Sequence, residues 1–160
     1  MANFISGSQL RRLQLGHLVT GQVSNITSSG PATYSLFAVT GGEVLVTALW
    51  GKVTTAITTD SQTLNIQMHP TAGTLVVVAT ATNLGTTDSA VGDIIGVTAG
   101  TLVPATNLKL QGQPLRMVAT TGQIESAVVT SSSNGVVAWY CTYVPLTDGA
   151  AVAASVVAPV

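Results

Sequence analysis

Ionised side chains are scarce in this chain. Charged residues make up 7% of 160 positions, and the formal net charge is −1. Typical soluble domains are about 25% charged. A folded monomer of this mass exposes about 7,500 Å², so the exterior carries roughly one charge per 700 Å². Such a balance excludes the basic field of a nucleic-acid binder and the basic stripe of an anionic-membrane binder. It leaves two ways to live in water. Either the surface is coated with Thr, Ser, Asn and Gln, or much of it is covered in the working state. Cysteine is nearly absent too: Cys141 is single, so no internal disulfide forms, and its place in an apolar stretch marks a buried, inert thiol. Seven aromatic residues are too few for the aromatic girdles of a membrane β-barrel. No apolar run approaches the about 20 residues of a membrane-spanning helix, despite a mean hydropathy of +0.51. The opening MANFISG has no basic segment before its apolar residues, so no export signal is expected. Neither a membrane nor a nucleic acid is expected as a partner.

Chemistry-bearing constellations are missing as well. His17 and His69 lie far apart, with no metal-ligand spacing. Serines are many, but none sits in a GxSxG elbow. Asp88 and Asp93 flank a short glycine-containing segment without the alternating oxygens of a calcium loop, and they read as turn aspartates. Gly51-Lys52 has no upstream glycine at phosphate-loop spacing. Asn25-Ile26-Thr27 matches a glycosylation sequon, which means little without a secretion signal. Catalysis needs ionisable groups with tuned proton affinities, and this chain has few to tune. A non-enzymatic protein is expected, with no catalytic, cofactor-binding or metal-binding residues and no cofactor.

What the chain has is Val, Thr and Gly, the composition of strands and turns. Turn signals recur at about eight to twelve residues, the spacing of a sandwich or barrel. The expected fold is all-β: a single antiparallel β-sandwich or jelly-roll-like barrel with extended N- and C-terminal arms. TYSLFAV (33–39) and EVLVTALW (43–50) read as a hairpin closed by Thr40-Gly41-Gly42, with GKVTTAITTD (51–60) following. QTLNIQMH (62–69) alternates, with Leu64, Ile66 and Met68 inward and Asn65, Gln67 and His69 outward. TLVVVATAT (74–82) reads as a central strand. Further strands are expected at 93–97, 108–110, 114–119 and 123–130. Ser133-Asn134-Gly135 carries a type I′ hairpin signal. Residues 84–93 and 98–107 read as loops, with a short turn around 84–92 the only helical candidate. The domain reading is an N-terminal arm (1–30), a β-sandwich (31–149) and an apolar C-terminal arm (150–160).

The stretch VVAWYCTYVP (136–145) has two apolar faces. Val137, Trp139, Cys141 and Tyr143 occupy one; Val136, Ala138, Tyr140, Thr142 and Val144 occupy the other. With Trp139 inward, the second face needs a cover. Another subunit supplies one, and ring closure also hides sheet edges. A homo-oligomer is therefore expected, a trimer favoured, with Tyr140, Val144, Val152 and Val156 at the interface. The N-terminal arm, through Phe4, Leu10, Arg11, Arg12, Leu13 and Leu15, is expected to lie on a partner, the arginines meeting acidic groups there.

The series GGEVLVTALWGKVTTAITTDSQTLNIQMHPTAGT and the closing VVAWYCTYVPLTDGAAVAA resemble small virion structural proteins of tailed bacteriophages. Val44 to Ile57 and Val137 to Ala150 carry the likeness, with Thr147 where an acidic residue is expected. The resemblance covers about half the chain and not its first 30 residues. It implies a capsid decoration (cement) protein on the virion surface, partnered by the major capsid protein, and it implies no catalytic residue. A tail-associated or fibre-base protein is the alternative. A carbohydrate-binding β-sandwich, with Trp50 or Tyr34 as a stacking platform, is another.

Overall fold

The computed structural model describes residues 16–25, 31–58, 63–84, 89–98, 100–105, 115–129 and 134–155. The chain is all-β, with two antiparallel sheets in the manner of a β-sandwich and no helix among the described residues. Among the described residues no helix is long and apolar enough to cross a membrane. Eleven strands form among the described residues: β1 (His17–Asn25), β2 (Ala32–Thr40), β3 (Val44–Thr55), β4 (Thr63–Pro70), β5 (Val76–Asn83), β6 (Ile94–Thr98), β7 (Gly100–Ala105), β8 (Met117–Ala119), β9 (Gly122–Val128), β10 (Val136–Pro145) and β11 (Ala151–Ala154).

The pairing is nested. β1 pairs with β10, β2 with β9, β3 with β6 and β8, and β4 with β5, all antiparallel. The front sheet therefore runs β1-β10-β3 and then β6 or β8. The back sheet runs β11-β2-β9-β4-β5. A β6–β7 hairpin and a short parallel contact, Ala79 with Gly100 and Thr80 with Thr101, link the two along one side. On the other side β1 lies against β2 and β11.

Several sequence expectations change here. The Thr40-Gly41-Gly42 turn is not a hairpin: β2 belongs to the back sheet and β3 to the front, so the chain arches between layers. The same holds before β10, since β9 sits between β2 and β4 and β10 between β1 and β3. Gly41 (φ 73°) and Gly42 (φ 133°) still supply the left-handed backbone such an arch requires. The expected loop 98–107 contains β7. The expected central strand 74–82 is peripheral: Leu75, Val76 and Val77 are exposed on both faces, because only β4 runs alongside them among the described residues. The N-terminal arm 1–30 contains β1, a sheet strand, and the C-terminal arm 150–160 begins with β11, paired to β2. The expected strand at 108–110 lies outside the described residues.

Both sheets turn their apolar side chains into one core. Trp139, Cys141 and Tyr143 of β10 meet Val46, Leu49 and Val53 of β3 and, from the back sheet, Phe37, Ile66 and Ile124. Keeping β3 apolar inward requires a break in its alternation, since Val44 and Val46 are even and Leu49, Gly51 and Val53 are odd. A bulge supplies it. Opposite the Thr142–Tyr143 step, Thr47 is the extra residue, tied by its hydroxyl to that of Thr142 at 2.8 Å. Leu36 does the same for β2, so Leu36 and Phe37 are both fully buried. Trp139, opposite Gly51 in the ladder, lies over the strand where a side chain is missing: a Cβ on Gly51 would stand 3.2 Å from its ring.

Candidate functional site: the outer face of the front sheet

The register of the front sheet fixes which residues share its outer face. Four rows cross it. Val144, Leu45 and Val118 form the first, on β10, β3 and β8. Leu18, Thr142 and Ala48 form the second, on β1, β10 and β3. Tyr140, Trp50 and Gly96 form the third, and Ala138, Lys52 and Ile94 the fourth. Lys52 is the one charged side chain in these rows; Arg116 stands at the margin, just before β8.

Large apolar side chains are left in solvent. Leu18 is 56% exposed, Val118 54% and Val144 38%, with Leu146 exposed just beyond β10. Trp50 and Tyr140 are half-buried against each other, stacked at 5.4 Å between centroids with planes 11° apart. Gly96, beside Trp50 in the ladder, has no side chain to cover the far edge of the indole. With strands about 4.8 Å apart and about 3.4 Å per residue, this face spans about 400 Å². That is the size at which an apolar patch on a monomer is usually functional.

The rest of the molecule offers little reactive chemistry. Cys141 is buried, and desolvation pushes its thiol from 9.0 up to about 12, so it is held protonated. Asp93 accepts a hydrogen bond from the Ala90 amide at 2.8 Å, as a turn aspartate does. His17 stacks on Tyr143 at 5.3 Å. On the back sheet Glu125 is buried on the outer face, accepting from Gln67 Nε2 at 2.8 Å, with His69 Nδ1 at 3.4 Å. The outward polar side of β4 is thus partly buried, Gln67 included. Among the described residues no three His, Cys, Asp or Glu side chains stand together to hold a metal ion.

Of the expected interface residues, Tyr140 and Val144 lie on this face. Val152 does not. It pairs with Val39 on β11 and is buried in its own chain's core, so it is not presented to a partner. Val156 and the arm residues Phe4, Leu10, Arg11, Arg12, Leu13 and Leu15 lie outside the described residues. Tyr34 is buried, which removes it as a stacking platform; Trp50 remains. Sequence reasoning missed Leu18, Leu45 and Val118. Leu18 was assigned to an arm, and β8 is too short to show a period. No protein-family model matches the chain, and neither does any curated protein or solved structure.

Proposed function

We propose that this protein is a non-enzymatic virion structural protein, a capsid decoration protein that oligomerises and binds the head shell. The observation that carries the reading is the outer face of the front sheet, four rows in which Lys52 is the one charged side chain and Leu18, Val118 and Val144 are exposed. Were all of the about 400 Å² apolar and exposed, burial at about 25 cal/mol per Å² would give at most about 10 kcal/mol, before the ordering and orientation costs of association. Covered by an equal area of a different surface on a neighbouring chain, this face makes a contact that buries about 800 Å² in all, short of the about 1,200 Å² of a specific interface. The expected arm residues Phe4, Leu10, Arg11, Arg12, Leu13 and Leu15 are part of the proposal as partner-binding residues, and Val156 as an interface residue. A homotrimer is the favoured assembly, with the major capsid protein as the further partner.

The nested pairing supports a jelly-roll reading of the sandwich. First strand with tenth, second with ninth, third with sixth and fourth with fifth is a long antiparallel hairpin rolled onto itself. Jelly rolls serve in viral capsids and in lectins, and fold alone does not choose between them. The resemblance of Val44–Ile57 and Val137–Ala150 to phage virion proteins favours the first.

The test is electron microscopy of particles incubated with the purified chain and with a variant lacking residues 1–15, a deletion that leaves β1 intact. Head labelling by the full chain, lost in the truncation, is expected. Labelling of the tail overturns the head assignment in favour of a tail protein. A second reading has its own observation: the Trp50–Tyr140 stack beside Gly96 is a flat aromatic platform. Quenching of Trp50 fluorescence by host-wall glycans supports carbohydrate binding there; a flat response removes it.

A further inference from the structure

At one end of the sandwich three turns from distant parts of the chain converge. They are the arch after β2, the β4–β5 turn and the short turn between β8 and β9. Gly42, Glu43, Thr71, Ala72, Thr120 and Thr121 line a cleft of about 360 Å³ between them. That lies at the lower end of the about 300–1,000 Å³ typical of ligand sites.

The cleft is built on fixed backbone. The carbonyl of Glu43 accepts from the amides of Leu146 at 2.9 Å and Thr147 at 3.1 Å, and the amide of Glu43 donates to the Thr147 hydroxyl at 3.1 Å. The amide of Thr71 donates to the carbonyl of Thr121 at 2.9 Å. Gly42 approaches Thr147 so closely that a Cβ would stand 2.6 Å from it, and a Cβ on Gly122 would stand 2.3 Å from the His69 carbonyl. The backbone is held, whereas the Glu43 side chain is exposed; its carboxylate has no hydrogen-bond or ion-pair partner among the described residues, and Asp148 is exposed in the turn packed against Gly42. The cations of the described front sheet do not reach it. Lys52 lies nine residues along β3, about 30 Å at about 3.4 Å per residue. Arg116 precedes Met117, whose ladder partner is Val46, so its backbone lies beyond Val46, about 14 Å along the strands from Glu43, and it makes no ion pair with it.

We propose that this cleft receives a lysine or arginine side chain of a protein partner, with Glu43 as its counter-ion and the hydroxyls of Thr71, Thr120 and Thr121 as further acceptors. Charge complementarity selects that occupant. One carboxylate is too few charged oxygens for a calcium ion, which takes about six to eight ligands. Among the described residues no aromatic side chain lines the cleft to stack on a sugar ring. A guanidinium or ammonium needs one carboxylate and neighbouring oxygens. The site is distinct from the apolar face and does not rest on the virion reading.

The test is an amide NMR titration of the full chain with methylguanidinium. Saturable shifts of Thr71, Thr120 and Thr121 are expected, weakened about two- to fivefold in Glu43→Gln, the scale of one exposed ion pair. Raised salt is expected to weaken them as well. Absence of saturable shifts overturns the proposal, as does a response unchanged in E43Q. Shifts produced by calcium or by N-acetylglucosamine and not by methylguanidinium overturn it in favour of those ligands. Oligomer mass, followed in the same variant, is expected to stay constant, which separates failure here from failure of the apolar face.

Discussion

Replacing Gly51 with alanine puts the packing of Trp139 to a direct test. Gly51 sits mid-strand in β3, opposite Trp139 in the ladder. A Cβ built there stands 2.5 Å from Val137 Cγ1 and 3.2 Å from two atoms of the Trp139 ring. Carbon atoms prefer about 3.5–4.0 Å, so the valine must retreat by about 1 Å. It has little room, being fully buried and stiff at χ1. Overpacking of this kind costs about 1–3 kcal/mol. Removing a glycine from a strand interior returns about 0.5–1 kcal/mol, leaving a net loss of about 1–2 kcal/mol. At this chain length about 2–4 °C of melting temperature goes with each kcal/mol, so Gly51→Ala is expected to melt about 2–8 °C lower. The assay is calorimetry at fixed protein concentration, since association moves the midpoint by mass action. Val137→Ala alone also destabilises, by leaving a cavity. The double variant is expected to lose less than the sum of the singles, by about 1 kcal/mol, because the clashing methyl is gone. A Gly51→Ala protein as stable as the parent, or strictly additive singles, would refute the claim that Trp139 and Val137 occupy the space a side chain would need.

Further outcomes follow from the same geometry. Cys141 is expected to resist thiol reagents in the folded protein and to react on denaturation, because burial holds the thiol up at about 12. Its folded value lies above the unfolded 9.0, so its contribution to stability is complete below pH 9 and is lost between pH 9 and about 12. The loss runs at up to about 1.4 kcal/mol per pH unit; in Cys141→Ala that alkaline slope is expected to flatten in denaturant titrations. Gly42→Ala places a Cβ 2.6 Å from Thr147 at a φ of 133°; a loss of about 1–3 kcal/mol is expected from strain and overpacking together, read by urea unfolding. Val118→Lys, on an exposed site, is expected to change chain stability by less than about 0.5 kcal/mol while weakening self-association, measured by sedimentation.

The parity of β10 was legible because one strand with two apolar faces has to place its largest side chain inward, and Trp139 is fully buried. All-β class followed from Val, Thr and turn residues. Layer membership was not legible. The glycines at 41 and 42 announce a reversal, but a reversal within a sheet and an arch between sheets use the same residue types. The run Leu75–Val78 shows the reverse error: continuous apolarity suggested burial on both faces, and the strand instead borders the sheet with three of these side chains exposed. Bulges at Thr47 and Leu36 broke the period of two where the core needed it broken. The apolar outer face was half legible, through Tyr140 and Val144; Leu18 and Val118 join it by register alone. The Glu43 cleft had no local signal, since its walls come from positions 42 to 121.

Sedimentation equilibrium of the purified chain, over a wide concentration range and beside Val118→Lys, bears most directly on the claim that the outer face of the front sheet is buried between copies. A mass three times the 16.2 kDa of one chain, falling toward the single-chain mass in the variant, is the expected result. A 16.2 kDa species for both proteins at every concentration would contradict it.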